Sequence, residues 1–122
     1  MKILIVDDDE MSVTVVTAIL RMAGYAELIV AHDGREGLEK VAVEQPDLVL
    51  LDVMMPHLNG YEVCEAINND PTLRLTRVII VTAQGHRSDS RDAVAAGAVG
   101  YLTKPFSPHE LLTVVKQSLA AA

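Results

Sequence analysis

Polar side chains that could hold a cation and a phosphoryl group stand at the ends of four short apolar runs. They are Asp7 and Asp8 after the first run, Asp52 after the second, Thr82 after the third and Lys104 after the fourth. Carboxylate oxygens are ligands that Mg²⁺ prefers, and a hydroxyl and an ammonium can bind phosphoryl oxygens. If the four run ends meet, these residues predict a site that binds a divalent cation and a phosphoryl group.

The apolar runs are typical of strands in a parallel sheet that helices cover on both faces, because they are rich in Val, Ile and Leu without alternating polar residues. We predict five strands, each followed by a helical pattern: Lys2–Val6, Glu27–Ala31, Leu48–Leu51, Arg77–Val81 and Gly100–Thr103. Strict alternation of strands and helices predicts an α/β fold with five helices. For five such units we predict a doubly wound, flavodoxin-like parallel sheet of order 2-1-3-4-5.

This strand order has its topological switch point between the first and third strands, where ligands of such sheets bind. The acidic ends of those two strands would therefore meet, with Thr82 and Lys104 entering from one side. Pairs of Asp, Asn or Ser with Glu three residues later predict helix starts at Asp33, Asn59 and Ser107. Glycines expected in left-handed C-terminal caps follow two of the helical patterns, at Gly24 and Gly97.

Length, charge and cysteine content limit the classes of protein to which the chain can belong. The 122 residues predict one domain over residues 1–122, and the formal net charge of −7 without a basic run disfavours a nucleic-acid surface. No apolar run is long enough for a signal peptide or a membrane span. The lone Cys64 lies in a helical pattern, so we expect a buried or half-buried structural thiol and a reducing, cytoplasmic setting.

Four segments of the chain resemble, in order and over essentially its whole length, the receiver domains of two-component response regulators. They are ILIVDDDE (Ile3–Glu10), LVLLDVMMPHLNGYEV (Leu48–Val63), VIIVTA (Val78–Ala83) and AAGAVGYLTKPF (Ala95–Phe106). The resemblance implies a phosphorylation-activated switch that receives its phosphoryl group, with Mg²⁺, from a sensor histidine kinase or a phosphotransfer protein. It also implies that phosphorylation changes the surface with which the chain contacts a downstream effector protein or output domain. Such a chain is a signalling domain that promotes its own phosphorylation and dephosphorylation, and we do not expect an enzyme.

Carried onto this sequence, the resemblance assigns a role to each site residue. These residues are the phosphoacceptor Asp52, the acidic pair Asp7 and Asp8, the switch hydroxyl Thr82, the switch aromatic Tyr101, the phosphate-binding Lys104 and the metal-binding backbone carbonyl of Met54. We expect Asp8 and Asp52 to bind the metal directly and Asp7 to hold a metal-bound water. Asp9, the next residue, is expected to cap the first helix or to face solvent.

Three smaller expectations concern the surroundings of this site. The resemblance implies a cis peptide bond between Lys104 and Pro105. It also places the side chains of Met54 and Gln84 beside the path of the water that hydrolyses the acyl phosphate. Because carboxylates gathered in one site repel one another, at least one of them should have a raised pKa.

Two other functions agree with part of the pattern. Asp7 and Asp9 have the D-x-D spacing that phosphohydrolases of the haloacid-dehalogenase type place after their first strand, but no cap insertion is evident here. Thr82 also stands where such enzymes have an acidic pair. A binding-only pseudo-receiver is disfavoured because all of the residues needed for phosphorylation are present. Incubation with acetyl phosphate and Mg²⁺ distinguishes these functions. A phosphoryl adduct on Asp52 indicates a receiver domain, an adduct on Asp7 indicates a phosphohydrolase, and no adduct indicates a pseudo-receiver.

Overall fold

One parallel sheet of five strands organises the chain. The computed structural model describes residues 1–53, 60–73, 75–83 and 90–120. The strands are β1 (Lys2–Val6), β2 (Glu27–Ala31), β3 (Leu48–Asp52), β4 (Arg77–Ala83) and β5 (Gly100–Lys104), in the spatial order β2-β1-β3-β4-β5. The predicted fold class and strand order are confirmed. Asp52, Thr82 and Lys104 belong to the last residues of their strands, so β3, β4 and β5 end slightly later than predicted.

Helices alternate with the strands along the chain. They are α1 (Glu10–Met22), α2 (Gly34–Glu44), α3 (Gly60–Asn69), α4 (Ser90–Ala95) and α5 (Pro108–Ala120). A short 3₁₀ turn, Pro71–Leu73, follows α3 and was not predicted. It is held by the Asp70 carboxylate, which accepts hydrogen bonds from the Thr72 backbone N–H at 2.9 Å and the Thr72 hydroxyl at 2.7 Å. Within the described ranges, no helix is long and apolar enough to cross a membrane.

Capping side chains begin the helices at the predicted positions that the structure describes. The Asp33 carboxylate accepts a hydrogen bond from the Glu36 N–H at 2.7 Å. At α5 the bonds are reciprocal: Ser107 Oγ accepts from the Glu110 N–H, and the Glu110 carboxylate accepts from the Ser107 N–H, both at 3.1 Å. These contacts satisfy N–H groups that have no partner inside the helix. The third predicted start, Asn59, lies outside the described residues.

Left-handed residues end three of the helices. Gly24 and Gly97 have φ angles of +100° and +93°, as their positions predict. The α2 helix ends differently, at Gln45, which has a φ of +46° and comes directly before a proline. Because left-handed helix ends are predicted from glycine, the sequence did not indicate that Gln45 takes this conformation.

Alternate residues of each strand pack on opposite faces of the sheet. In β1, Ile3 and Ile5 join an apolar cluster with residues of α1 and α5, whereas Leu4 and Val6 join a second cluster with residues of α2, α3 and α4. Both faces are therefore covered, as predicted from the uninterrupted apolar runs. Of the buried polar residues, Asp7, Asp52 and Thr82 lie at the edge where the strands end.

The lone cysteine belongs to the second of these clusters. Cys64 is fully buried, and its thiol donates a hydrogen bond to the Ala96 carbonyl, with 3.3 Å between Sγ and the oxygen. Burial, with a smaller contribution from the negative charge of Glu65, raises the pKa of this thiol to about 12. The predicted buried structural thiol is confirmed.

Candidate functional site

The carboxyl-terminal edge of the sheet brings together the predicted site residues that the structure describes, with the exception of Tyr101. Asp7 follows β1, and Asp52 ends β3, where it is in register with Val81 of β4. Asp7, Asp52 and Thr82 are 5%, 6% and 1% exposed, and the Asp8 side chain is exposed. Three polar side chains are thus buried at one edge, which calls for partners that offset their loss of water.

The Lys104 ammonium joins the two buried carboxylates. Its Nζ lies 2.9 Å from Asp7 Oδ2 and 3.1 Å from Asp52 Oδ2. Lys104 belongs to β5, so its long side chain extends past β4 to contact Asp52 at the end of β3, and past both β4 and β3 to contact Asp7 after β1. The predicted cis peptide bond between Lys104 and Pro105 is confirmed.

Electrostatics keep this lysine charged. Burial lowers the pKa of Lys104, but the hydrogen bonds and negative charges of Asp7 and Asp52 outweigh burial and raise that pKa above its usual value. The pKa of Asp7 is also raised, chiefly by burial and to a smaller extent by the charge of Asp52. Hydrogen bonds from the Asp9 N–H and from Lys104 oppose this shift. The expected raised carboxyl pKa is confirmed, but burial contributes more than repulsion between carboxylates.

Asp7, Asp8 and Asp52 offer a set of oxygen donors to a cation. One carboxylate oxygen from each lies within 4.8 Å of the others. Three carboxylates at one edge, one of them open to solvent, are hard oxygen donors of the kind that Mg²⁺ binds while keeping some of its waters. The donor set therefore fits Mg²⁺. Met54 and Gln84, the other predicted neighbours of the reaction, lie outside the described residues.

Thr82 and Tyr101 occupy different environments. Thr82 Oγ1 is buried and makes no hydrogen bond with any of the residues that the structure describes. Tyr101 is half-buried, lies in register with Ile80 and packs against the apolar cluster under α2, α3 and α4. The structure therefore places Thr82 at the acidic edge and Tyr101 three residues before Lys104 in β5.

Ser12 is a site residue that our sequence analysis missed. Its hydroxyl lies 3.3 Å from Lys104 Nζ and donates a hydrogen bond to Asp9 Oδ2 at 3.1 Å. Asp9 caps α1 by accepting a hydrogen bond from the Met11 N–H, so its expected role as a cap is confirmed. The spacing between Asp9 and Ser12 could have indicated this contact. A serine three residues after a capping aspartate lies on the first turn of the helix, beside the acidic loop.

Comparison with known proteins gives concordant sequence matches. A sequence model of the response regulator receiver domain matches residues 3–116. The alkaline phosphatase synthesis transcriptional regulatory protein PhoP of Bacillus subtilis is 42% identical over 118 residues, which cover 97% of this chain and 48% of PhoP. The chain thus spans about half of the length of this relative, and less of some others.

Solved structures agree with these matches. The chemotaxis response regulator CheY4 of Vibrio cholerae superposes with a TM-score of 0.87 at 33% identity, covering 96% of this chain and 97% of that one. The receiver domain of the sensor histidine kinase PA1611 from Pseudomonas aeruginosa PAO1 has a TM-score of 0.87 at 29% identity, covering 98% of both chains. That receiver domain holds a magnesium ion in its active-site cleft.

Proposed function

The chain belongs to the response regulator receiver domain family, and from this premise we propose that it is a phosphorylation-activated switch with Asp52 as phosphoacceptor. The proposed receiver domain comprises residues 1–122. The observation that carries the assignment is the Lys104 ammonium, 2.9 Å from Asp7 and 3.1 Å from Asp52 at an acidic strand edge. Such an arrangement combines a carboxylate nucleophile with a cation that can offset phosphoryl charge.

In the proposed reaction, a carboxylate oxygen of Asp52 attacks the phosphorus of a phosphohistidine on a sensor histidine kinase or a phosphotransfer protein. The new O–P bond forms as the P–N bond breaks, and the imidazole nitrogen of the donor keeps the electron pair. Lys104 already contacts Asp52, so its ammonium is close enough to donate to an oxygen of the transferred group. Positioning and charge neutralisation of this kind are the main contributions of a protein to phosphoryl transfer.

We assign the metal site of this reaction to Asp7, Asp8 and Asp52, with the backbone carbonyl of Met54 as a further ligand. Mg²⁺ bound there would neutralise negative charge on the phosphoryl oxygens. Both oxygens of Asp7 already accept a hydrogen bond, one from the Asp9 N–H and one from Lys104. This supports a role for Asp7 in holding a metal-bound water, with Asp8 and Asp52 as direct ligands. The same two bonds make Asp7 a poor nucleophile, which disfavours the phosphohydrolase alternative.

We assign the response to phosphorylation to Thr82 and Tyr101. A buried hydroxyl without a partner costs about 1–3 kcal/mol, and an oxygen of a phosphoryl group on Asp52 would offer the missing partner. Movement of Thr82 toward that group would vacate space beside β5, which Tyr101 would fill. The change would then alter the surface presented to an effector protein or output domain.

The remaining assignments concern the setting of the switch. We propose that the domain acts in the cytoplasm, promotes its own phosphorylation and dephosphorylation, and does not itself bind nucleic acid. A formal net charge of −7 supports the last assignment, because binding to phosphates requires clustered basic side chains.

The experiment that tests the phosphoacceptor is intact-mass spectrometry after incubation with acetyl phosphate and Mg²⁺. We expect wild type to gain one phosphoryl group and Asp52→Asn to gain none. Asp33→Asn is the matched control, since it removes an exposed carboxylate that follows β2 at the same edge, and Asn can still cap α2. Equal incorporation into wild type and Asp52→Asn would exclude Asp52 as the phosphoacceptor.

A further inference from the structure

Among the described residues, three acceptors surround the Lys104 ammonium, and the third comes from a helix. Asp7 and Asp52 supply two carboxylate oxygens, and Ser12, on the first turn of α1, supplies its hydroxyl oxygen at 3.3 Å. An ammonium has three N–H donors, so these three described contacts are enough to engage all of them. Ser12 is the neutral member of the set and lies on the α1 side of the lysine.

The direction of the Ser12 hydroxyl is fixed by its own donor contact. Ser12 Oγ donates its hydrogen to Asp9 Oδ2 at 3.1 Å, so only lone pairs remain for Lys104. The other carboxylate oxygen of Asp9 accepts a hydrogen bond from the Met11 N–H at 3.0 Å, which holds Asp9 in place. The cap of α1 therefore orients Ser12 as an acceptor toward the ammonium.

We propose that Ser12 is a positioning residue that holds the Lys104 ammonium on the α1 side of the site and limits its pairing with Asp52. This inference rests on the proposed function of Asp52 as phosphoacceptor. Hydrogen bonds from an ammonium to carboxylates are stronger than those to a neutral hydroxyl. Without Ser12 the ammonium shifts toward the carboxylates, where it occupies the lone pairs that Asp52 uses for attack.

The kinetic test compares variants of hydroxyl-bearing residues on α1. Ser12→Ala should lower the rate constant of phosphorylation at saturating acetyl phosphate and Mg²⁺ by roughly threefold to tenfold, the effect of one lost hydrogen bond. Ser12→Thr keeps the hydroxyl and should restore the rate. Thr14→Val is the matched control, because the Thr14 hydroxyl is exposed and bonds only the Glu10 carbonyl among its described contacts. An unchanged rate in Ser12→Ala, or an equal loss in Thr14→Val, would overturn the proposal.

A second readout requires no phosphorylation. The side-chain ¹⁵N–¹H signal of the Lys104 ammonium, assigned by its loss in Lys104→Met, should shift in Ser12→Ala and keep its wild-type position in Ser12→Thr and Thr14→Val. An unchanged signal in Ser12→Ala would overturn the positioning role. If wild type takes up no phosphoryl group, the proposed function fails on that result alone, and the ammonium signal still decides whether Ser12 positions Lys104.

Discussion

Replacing Lys104 by Met removes the ammonium between two buried carboxylates while keeping an unbranched side chain. Asp7 and Asp52 would remain in place with 5% and 6% of their surface exposed. Removing one partner of a buried ion pair costs about 3–5 kcal/mol, because the other charge is left without compensation. The Lys104 side chain is 25% exposed, so water screens the loss, and we expect about 2–4 kcal/mol at pH 7.

The size of this loss should depend on pH in a defined direction. The pKa of Asp7 is raised in the folded state, so folding favours its protonated form, and the contribution of Asp7 to stability increases as the pH falls through the folded pKa. The hydrogen bond from Lys104 opposes this shift, and its removal raises the pKa further. The difference between Lys104→Met and wild type should therefore be largest near neutral pH and shrink toward about pH 4, where carboxyls protonate.

Thermal and urea unfolding of wild type, Lys104→Met and Lys116→Met, measured in EDTA between pH 4 and pH 7, provide the assay. Lys116 is an exposed lysine of α5 and controls for loss of a positive charge. At pH 7 we expect Lys104→Met to melt about 10 °C below wild type, since about 1 kcal/mol corresponds to roughly 3–5 °C in a domain of this size. Equal melting temperatures for the two lysine variants, or a difference independent of pH, would show that Lys104 does not compensate the buried carboxylates.

Three further predictions concern single buried or strained positions. Thr82→Val replaces a buried hydroxyl that has no described partner, so unphosphorylated protein should gain about 1 kcal/mol in urea unfolding, and a loss of stability would contradict this. The Cys64 thiol, with a pKa raised to about 12, should react with a thiol reagent only when the protein unfolds. The contribution of this thiol to the stability of the fold is complete below pH 9 and declines as the pH rises toward 12. Rapid labelling of Cys64 in the native protein would contradict its burial. Gly97→Ala and Gly24→Ala should each destabilise the fold by about 1–2 kcal/mol, since both glycines have positive φ and the Asn68 amide that a Cβ at Gly97 would meet ends an exposed side chain that can turn away; no loss of stability in urea unfolding at either position would contradict this backbone cost.

The positions of the acidic residues could be predicted because strand ends are well marked in this sequence. Apolar runs without alternation indicate strands covered on both faces, and parallel strands end at one edge. Asp7 and Asp52 therefore had to approach each other once the order 2-1-3-4-5 was chosen. Their burial is a consequence of packing on both faces, and it explains why the Asp7 pKa depends more on lost water than on neighbouring charge.

The contacts of Lys104 could not be predicted, because a long side chain with several rotatable bonds can take many directions from one backbone position. Its contact with Asp7, past both β4 and β3, and the contribution of Ser12 depend on where α1 packs relative to β5. The left-handed end of α2 was not predicted, because Gln45 and not a glycine occupies it. The 3₁₀ turn after α3 was not predicted either, because it depends on hydrogen bonds to one aspartate, Asp70. The switch role of Tyr101 and the metal contact of Met54 stay predictions.

Whether Asp52 accepts the phosphoryl group can be determined by locating the acyl phosphate in the chain. Wild type is phosphorylated with acetyl phosphate and Mg²⁺, reduced with borohydride, which converts an aspartyl phosphate to homoserine, and sequenced by tandem mass spectrometry. We expect homoserine at position 52, and none when EDTA replaces Mg²⁺. Homoserine at position 7, or its absence from position 52 in protein whose intact mass shows a phosphoryl group, would contradict the assignment of Asp52.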